Sequence, residues 1–166
     1  MLPKLVKIVG IATLIGSFGI WVYAFSGAAD RDPPDMLDDS RWSEAAEPIC
    51  AAALADVASL PNAAIAKSAE ERSEQILQAN DRFDLMVDDL AALPATSDRD
   101  TQITKAWLAD LEVLLNDRRR YAAAILDDPA APFTITDTGV RERLQRRITR
   151  FATTNNMPSC VAPSDV

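Results

Sequence analysis

Between Ser68 and Ile125 apolar residues return three and four positions apart, and this period constrains the fold more than any other feature of the chain. Ile76, Ala79, Phe83, Met86, Leu90 and Leu93 form one stripe on a helix of 3.6 residues per turn. Ser68 followed by Glu71 is a capping-box pattern that starts this helix, and Pro94 closes it. The pattern repeats at Ser97 and Asp100, ahead of a stripe of Ile103, Trp107, Leu111, Leu114, Tyr121 and Ile125, widened by Leu108, Leu115 and Ala122. The two prolines of "DDPAAPF" end that helix. Upstream, Trp42, Ala46, Ile49, Ala53, Val57 and Leu60 keep the same spacing. Pro48 either kinks this helix or starts it from within its first turn, and Pro61 ends it. Downstream, Asp137 can cap a fourth helix with the stripe Val140, Leu144, Ile148 and Phe151, ended by "TTNNMP". Phe133 and Ile135 alternate with threonines, but the run is too short for a sheet of its own. No strand series, Gly-rich phosphate loop or solenoid repeat interrupts this order. The expected fold is all-α, an antiparallel three- to four-helix bundle over residues 40–166.

Composition narrows the function. The chain has 166 residues, long enough for one domain with a real core. Its formal net charge is -8 and it has no histidine. Acidic surfaces repel nucleic acid, so nucleic acid is not an expected partner. The absent histidine removes the commonest general base and the usual zinc or copper ligand. There is no G-x-S-x-G, no Cys/His arrangement and no H-E-x-x-H. Asp127, Asp128 and the aspartates near Pro33 lack EF-hand spacing. The chain is therefore expected to be non-catalytic, without cofactor or metal.

The N-terminal stretch reads as a membrane anchor over residues 1–26. The apolar run from Ile8 to Phe25 would span about 27 Å as a helix, close to the ~30 Å hydrocarbon core. Trp21, Tyr23 and Phe25 suit the headgroup layer at its far end. Lys4 and Lys7 at the near end predict a cytoplasmic N-terminus, leaving the remainder outside the cytoplasm. A cleaved signal peptide is the alternative, with Ser26-Gly27-Ala28 as its processing site. Ala12 and Gly16 form a small-xxx-small pair of the kind that packs membrane helices. An acidic linker with Pro33-Pro34 follows over 27–39, stiff enough to hold the folded part slightly off the membrane.

Few side chains invite chemistry. Arg118 falls on the apolar stripe of the long helix, so it either snorkels to water or is buried and paired, with Asp84, Asp88 or Asp89 as partners. Trp107 and Tyr121 on the same stripe either fill the core or join Arg118 in a ligand pocket. Asp110 and Asp117 lie two turns apart on one flank and read as solvated acidic surface. "RERLQRRITR" places Arg143, Arg147 and Arg150 among five arginines, which can contact anionic lipid or a partner. The acidic helix carrying Glu70, Glu71, Glu74, Asp81, Asp84, Asp88 and Asp89 is their expected intramolecular counterpart.

The two cysteines, Cys50 and Cys160, lie outside the cytoplasm in this reading and are expected to be bridged. An up-down-up-down order brings the start of the first helix and the end of the fourth to one end. Closing so long a loop stabilises by about 4.7 kcal/mol in the chain-entropy treatment. "WLADLEVLLNDRRRYA" and "RITRFATTNNMPSCVAPSDV" resemble an uncharacterised family of small, single-pass helical proteins from actinobacteria. Trp107, Asp117, Arg118, Tyr121, Phe151, Asn155, Met157 and Cys160 carry the resemblance, which covers most of the chain beyond the linker. It implies a fold and a location, with no activity attached. The expected function is a membrane-anchored, extracytoplasmic helical interaction or accessory module of the cell envelope with an envelope protein as partner. The alternative is an ectodomain binding a small ligand or anion through Arg118, Tyr121 and Trp107.

Overall fold

The structure, a computed structural model, describes residues 13, 15–23, 25 and 33–164 except 141. It divides into two units, Met1–Pro34 and Asp35–Val166. In the first, the described residues up to Phe25 are helical and their side chains exposed, with the Trp21 and Phe25 rings stacked at 5.3 Å. Lys4, Lys7, Ala12, the Ser26-Gly27-Ala28 site and residues 27–32 of the linker lie outside the described residues.

The second unit is helical throughout its regular structure. Helix α1 is Arg41–Ala58, α2 Ala69–Ala91, α3 Asp98–Asp127 and α4 Leu144–Thr154, with 3-10 turns at Ala63–Ile65 and Pro158–Cys160. No strand occurs among the described residues. Ser68 Oγ accepts from Glu71 N at 3.2 Å, and the Glu71 carboxylate accepts from Lys67 N at 2.8 Å. The capping box thus closes one residue early. Ser97 Oγ accepts from Asp100 N at 3.0 Å, while Asp100 Oδ1 accepts from Asp38 N, also at 3.0 Å. The second box therefore ties the linker to α3 instead of closing on itself.

Helix α1 begins at Arg41 and runs through Pro48, so Pro48 does not start it. Pro48 is exposed, so water can take the Glu44 carbonyl that loses its donor. Among the described residues, Arg41–Ile65 is the one stretch long and apolar enough to cross a membrane, with an 18-residue window inside it reaching a mean hydropathy of 1.4. Alanine supplies much of that apolarity, and Trp42, Ala46, Cys50 and Ala53 of the same helix belong to the core. The packed unit also begins earlier than the linker boundary at 39 suggests. Leu37 is buried, and its N–H donates to Asn155 Oδ1 at 2.8 Å.

Helices α2 and α3 run antiparallel. Ser73 Oγ donates to Ala122 O at 2.7 Å and Asn80 Nδ2 to Leu115 O at 2.9 Å, so advancing along one helix retreats along the other. Helix α4 packs on α3, α1 packs on α2 and on the turn at Pro158–Cys160, and α2 and α4 do not pack together. Trp42, Trp107 and Phe151 meet where α1, α3 and α4 converge, their ring centroids 4.9 to 6.3 Å apart.

Helix α4 starts at Leu144 rather than after Asp137. Asp137 instead accepts from Gly139 N at 2.9 Å, and Gly139 takes φ 71°, a left-handed turn that no helix start accommodates. Val140, expected on the buried stripe, is consequently exposed. The other end matches a Schellman stop. Asn156 sits at φ 58°, Met157 N donates to Ala152 O at 2.8 Å, and Asn156 N donates to Thr153 O at 3.3 Å. Asparagine tolerates this backbone, which is why "NN" ends the helix there.

Candidate functional site

Arg118 is fully buried, and its Nε–H donates to Asn80 Oδ1 at 2.5 Å. Its guanidinium carbon lies 5.4 Å from the Phe83 ring centroid, a favourable place for a cation over an aromatic face. Asn80, a residue the sequence pattern did not single out, therefore receives Arg118 on α2. Its own amide is held by Leu115 O, so the acceptor is fixed in place. Asp84, one of the expected partners, pairs with Arg119 instead.

Trp107 and Tyr121 share α3 with Arg118 but face other neighbours. Trp107 Nε1 donates to Ile148 O at 3.2 Å, within the aromatic cluster. Tyr121 meets Phe133 edge-on at 5.5 Å, with the Arg72 guanidinium 5.4 Å from its ring. Of the three, Tyr121 lines a small cavity of about 240 Å³ together with Asp117 and Thr136.

The two aspartates read as solvated surface are nothing of the kind. Asp117 is buried, and its carboxylate accepts from Thr136 N and from Thr136 Oγ1, each at 2.7 Å, and from Arg120. A carboxylate on α3 thereby anchors the irregular segment beyond it. Asp110 pairs with Arg147, and Arg147 Nη1 also donates to Thr138 Oγ1 at 2.7 Å. The flank of α3 is thus a seam that holds Thr136 and Arg147.

Arg147 and Arg150 find partners close by rather than on the acidic α2. Arg150 Nε donates to Asp35 Oδ2 at 2.9 Å, and Arg150 also pairs with Glu142. The hydrogen bond to Asp35 pushes the Arg150 pKa further up. Arg143 and Arg146 are exposed and form no ion pair with a described residue. Helix separation explains the difference, because α3 stands between α2 and α4.

Around the cysteines the structure builds a clasp. The sulfurs of Cys50 and Cys160 lie 2.03 Å apart, across a sequence separation of 110. Ser159 N donates to the Glu47 carboxylate at 3.1 Å. Asn155 Nδ2 donates to Asp35 O and to Phe151 O, both at 3.0 Å, while its Oδ1 takes Leu37 N. At the rim Asp39 binds Arg41 through Nε at 2.9 Å, and that bond holds its carboxyl far below the usual carboxylate range.

Concave regions lie elsewhere. A cleft of about 700 Å³ opens between the segment from Phe133 to Val140 and the start of α4, with Arg143 at its edge. A smaller cavity of about 390 Å³ lies among Val57, Leu60, Ala63, Gln75 and Ala79. Its Gln75 Oε1 is buried and accepts no hydrogen bond. The alternation "FTIT" was the one available signal for the cleft, since extended backbone beside a helix start leaves a furrow. Among the described residues, no three metal-ligating side chains gather closely enough to hold an ion. No protein-family description, curated protein or solved structure matches this chain significantly.

Proposed function

We propose that the protein is a membrane-anchored, extracytoplasmic helical module of the cell envelope that acts by binding an envelope protein and not by catalysis. In this reading residues 1–26 cross the membrane with the N-terminus in the cytoplasm. Residues from Asp35 onward form an antiparallel bundle outside it. The resemblance to small single-pass actinobacterial proteins points the same way. The observation that carries the reading is the joined Cys50–Cys160 pair in a unit that follows an apolar helix with outward side chains. Such bridges persist in oxidising compartments, and exposed apolar helix surface asks for lipid.

Two measurements test it together. Protease added to intact spheroplasts should remove the segment beyond Phe25, and denatured, unreduced protein should yield no titratable thiol. Full protection would reverse the orientation, and two free thiols would place the domain in a reducing compartment. For the partner, affinity purification from solubilised membranes should return one protein in stoichiometric amount. Recovery of the chain alone at native expression would remove the interaction role.

A further inference from the structure

The charge arrangement around the 700 Å³ cleft carries an inference beyond that role. Small-molecule sites usually enclose about 300–1,000 Å³, with mostly apolar walls and a few fixed polar groups. Here Phe133, Ile135, Val140 and Leu144 supply the apolar wall. Glu142 is taken by Arg150, whereas Asp137 accepts only the Gly139 amide and keeps its negative charge. Arg147, just beyond, is taken by Asp110. Arg143 lines the cleft and pairs with no carboxylate among the described residues. The start of α4 beside it has no side-chain cap, which adds partial positive charge at the same lip.

The wall is also preformed. Asp117 holds Thr136 by two bonds, Arg120 Nη2 donates to Thr136 Oγ1 at 2.7 Å, and Arg147 holds Thr138. A ligand entering such a cleft pays little to order the loop. We infer that this cleft binds an amphipathic monoanion, a carboxylate or phosphodiester on an apolar body, with Arg143 receiving the charge and the apolar body lying against Ile135 and Val140. The charge is single because Asp137, which also lines the cleft, repels a second one. The same chemistry is presented by a soluble carboxylate amphiphile and by the headgroup region of an anionic lipid.

The test uses the full chain in phosphatidylcholine nanodiscs with methyl-labelled isoleucine and valine. Titration with hexanoate should shift the Ile135 and Val140 methyls saturably, and 1-hexanol should do so at least tenfold more weakly. Arg143→Gln should weaken hexanoate about tenfold or more, since a charge-assisted contact is lost. Arg146→Gln should leave binding unchanged, and Asp137→Asn should tighten it. If discs containing phosphatidylglycerol shift the same methyls without hexanoate, the bilayer is the source of the anion; a shift with hexanoate alone assigns a soluble one. No saturable shift in either arm, equal binding of hexanol, or equal loss in Arg146→Gln overturns the inference. A chain that fails to enter nanodiscs contradicts the anchor instead, and the titration is then made on the free chain.

Discussion

The α2–α3 hairpin and the clasp joining residues 35–50 to 155–160 hold the unit together by different means. In the hairpin, partners are close in sequence, the connection between Ala91 and Asp98 is short, and long apolar stripes face each other. Closing such a short loop costs little entropy, so periodic burial is enough. The clasp joins segments separated by 110 residues and has no long stripe to spend. It relies on the Cys50–Cys160 bond and on side chains that satisfy backbone groups, Asn155 on Leu37 and Asp35, and Glu47 on Ser159. Distance along the chain thus selects the kind of contact that stabilises it.

The largest expected effect falls on the clasp. Cys50→Ser with Cys160→Ser should cost about 4.7 kcal/mol at most by loop entropy, read from urea denaturation monitored by circular dichroism. A loss below about 1 kcal/mol would show that the polar bonds hold the clasp without the bridge. Next, Arg118→Ala should cost about 3 kcal/mol, because it opens a void and strands the Asn80 acceptor inside the hairpin. A double-mutant cycle with Asn80→Ala should give a coupling of about 1 kcal/mol or more, and additivity would separate the two residues. Asp117→Ala should cost about 2 kcal/mol and sharply accelerate hydrogen exchange at the Thr136 amide, which loses its acceptor. Unchanged exchange there would mean that the cleft wall does not depend on α3.

The smallest effect is in acid. Asp39 titrates far below its ordinary 3.8 because of the Arg41 hydrogen bond, and Glu70 is lowered by its own backbone amide and by Ser68. Folded values below unfolded ones stabilise above the unfolded pKa, and that contribution is lost as pH falls through the folded values. Stability should therefore slope downward below about pH 4, and Asp39→Asn should flatten the slope slightly. Glu70 is exposed and Asp39 only partly buried, so added salt should shrink the difference.

Opposite charge on α2 and α4 illustrates the limit of reading charge along a chain. The acidic run and the arginine run look complementary in sequence, yet α3 separates them and the charges that pair do so with other residues. Arg147 goes to Asp110, Arg150 to Asp35 and Glu142, and Asp84 to Arg119. Charges seek the nearest partner in space, and proximity between helices is not encoded in composition. Asp117 was hidden for the same reason: on a helical wheel it flanks the stripe, and only the returning segment at Thr136 buries it.

Helix identity was legible because it depends on local physics. Spacing of three and four, serines three positions ahead of acidic residues, and terminal prolines each act within one or two turns, so α2 and α3 appear with their caps. The cysteine pair was legible too, since only two are present and helix order brings them together. The start of α4, the burial of Leu37 and Asp117, the Asn80 acceptor for Arg118 and the cleft beside Arg143 were settled by tertiary structure alone. Each depends on which backbone groups a distant segment must satisfy once packed, and no local period records that.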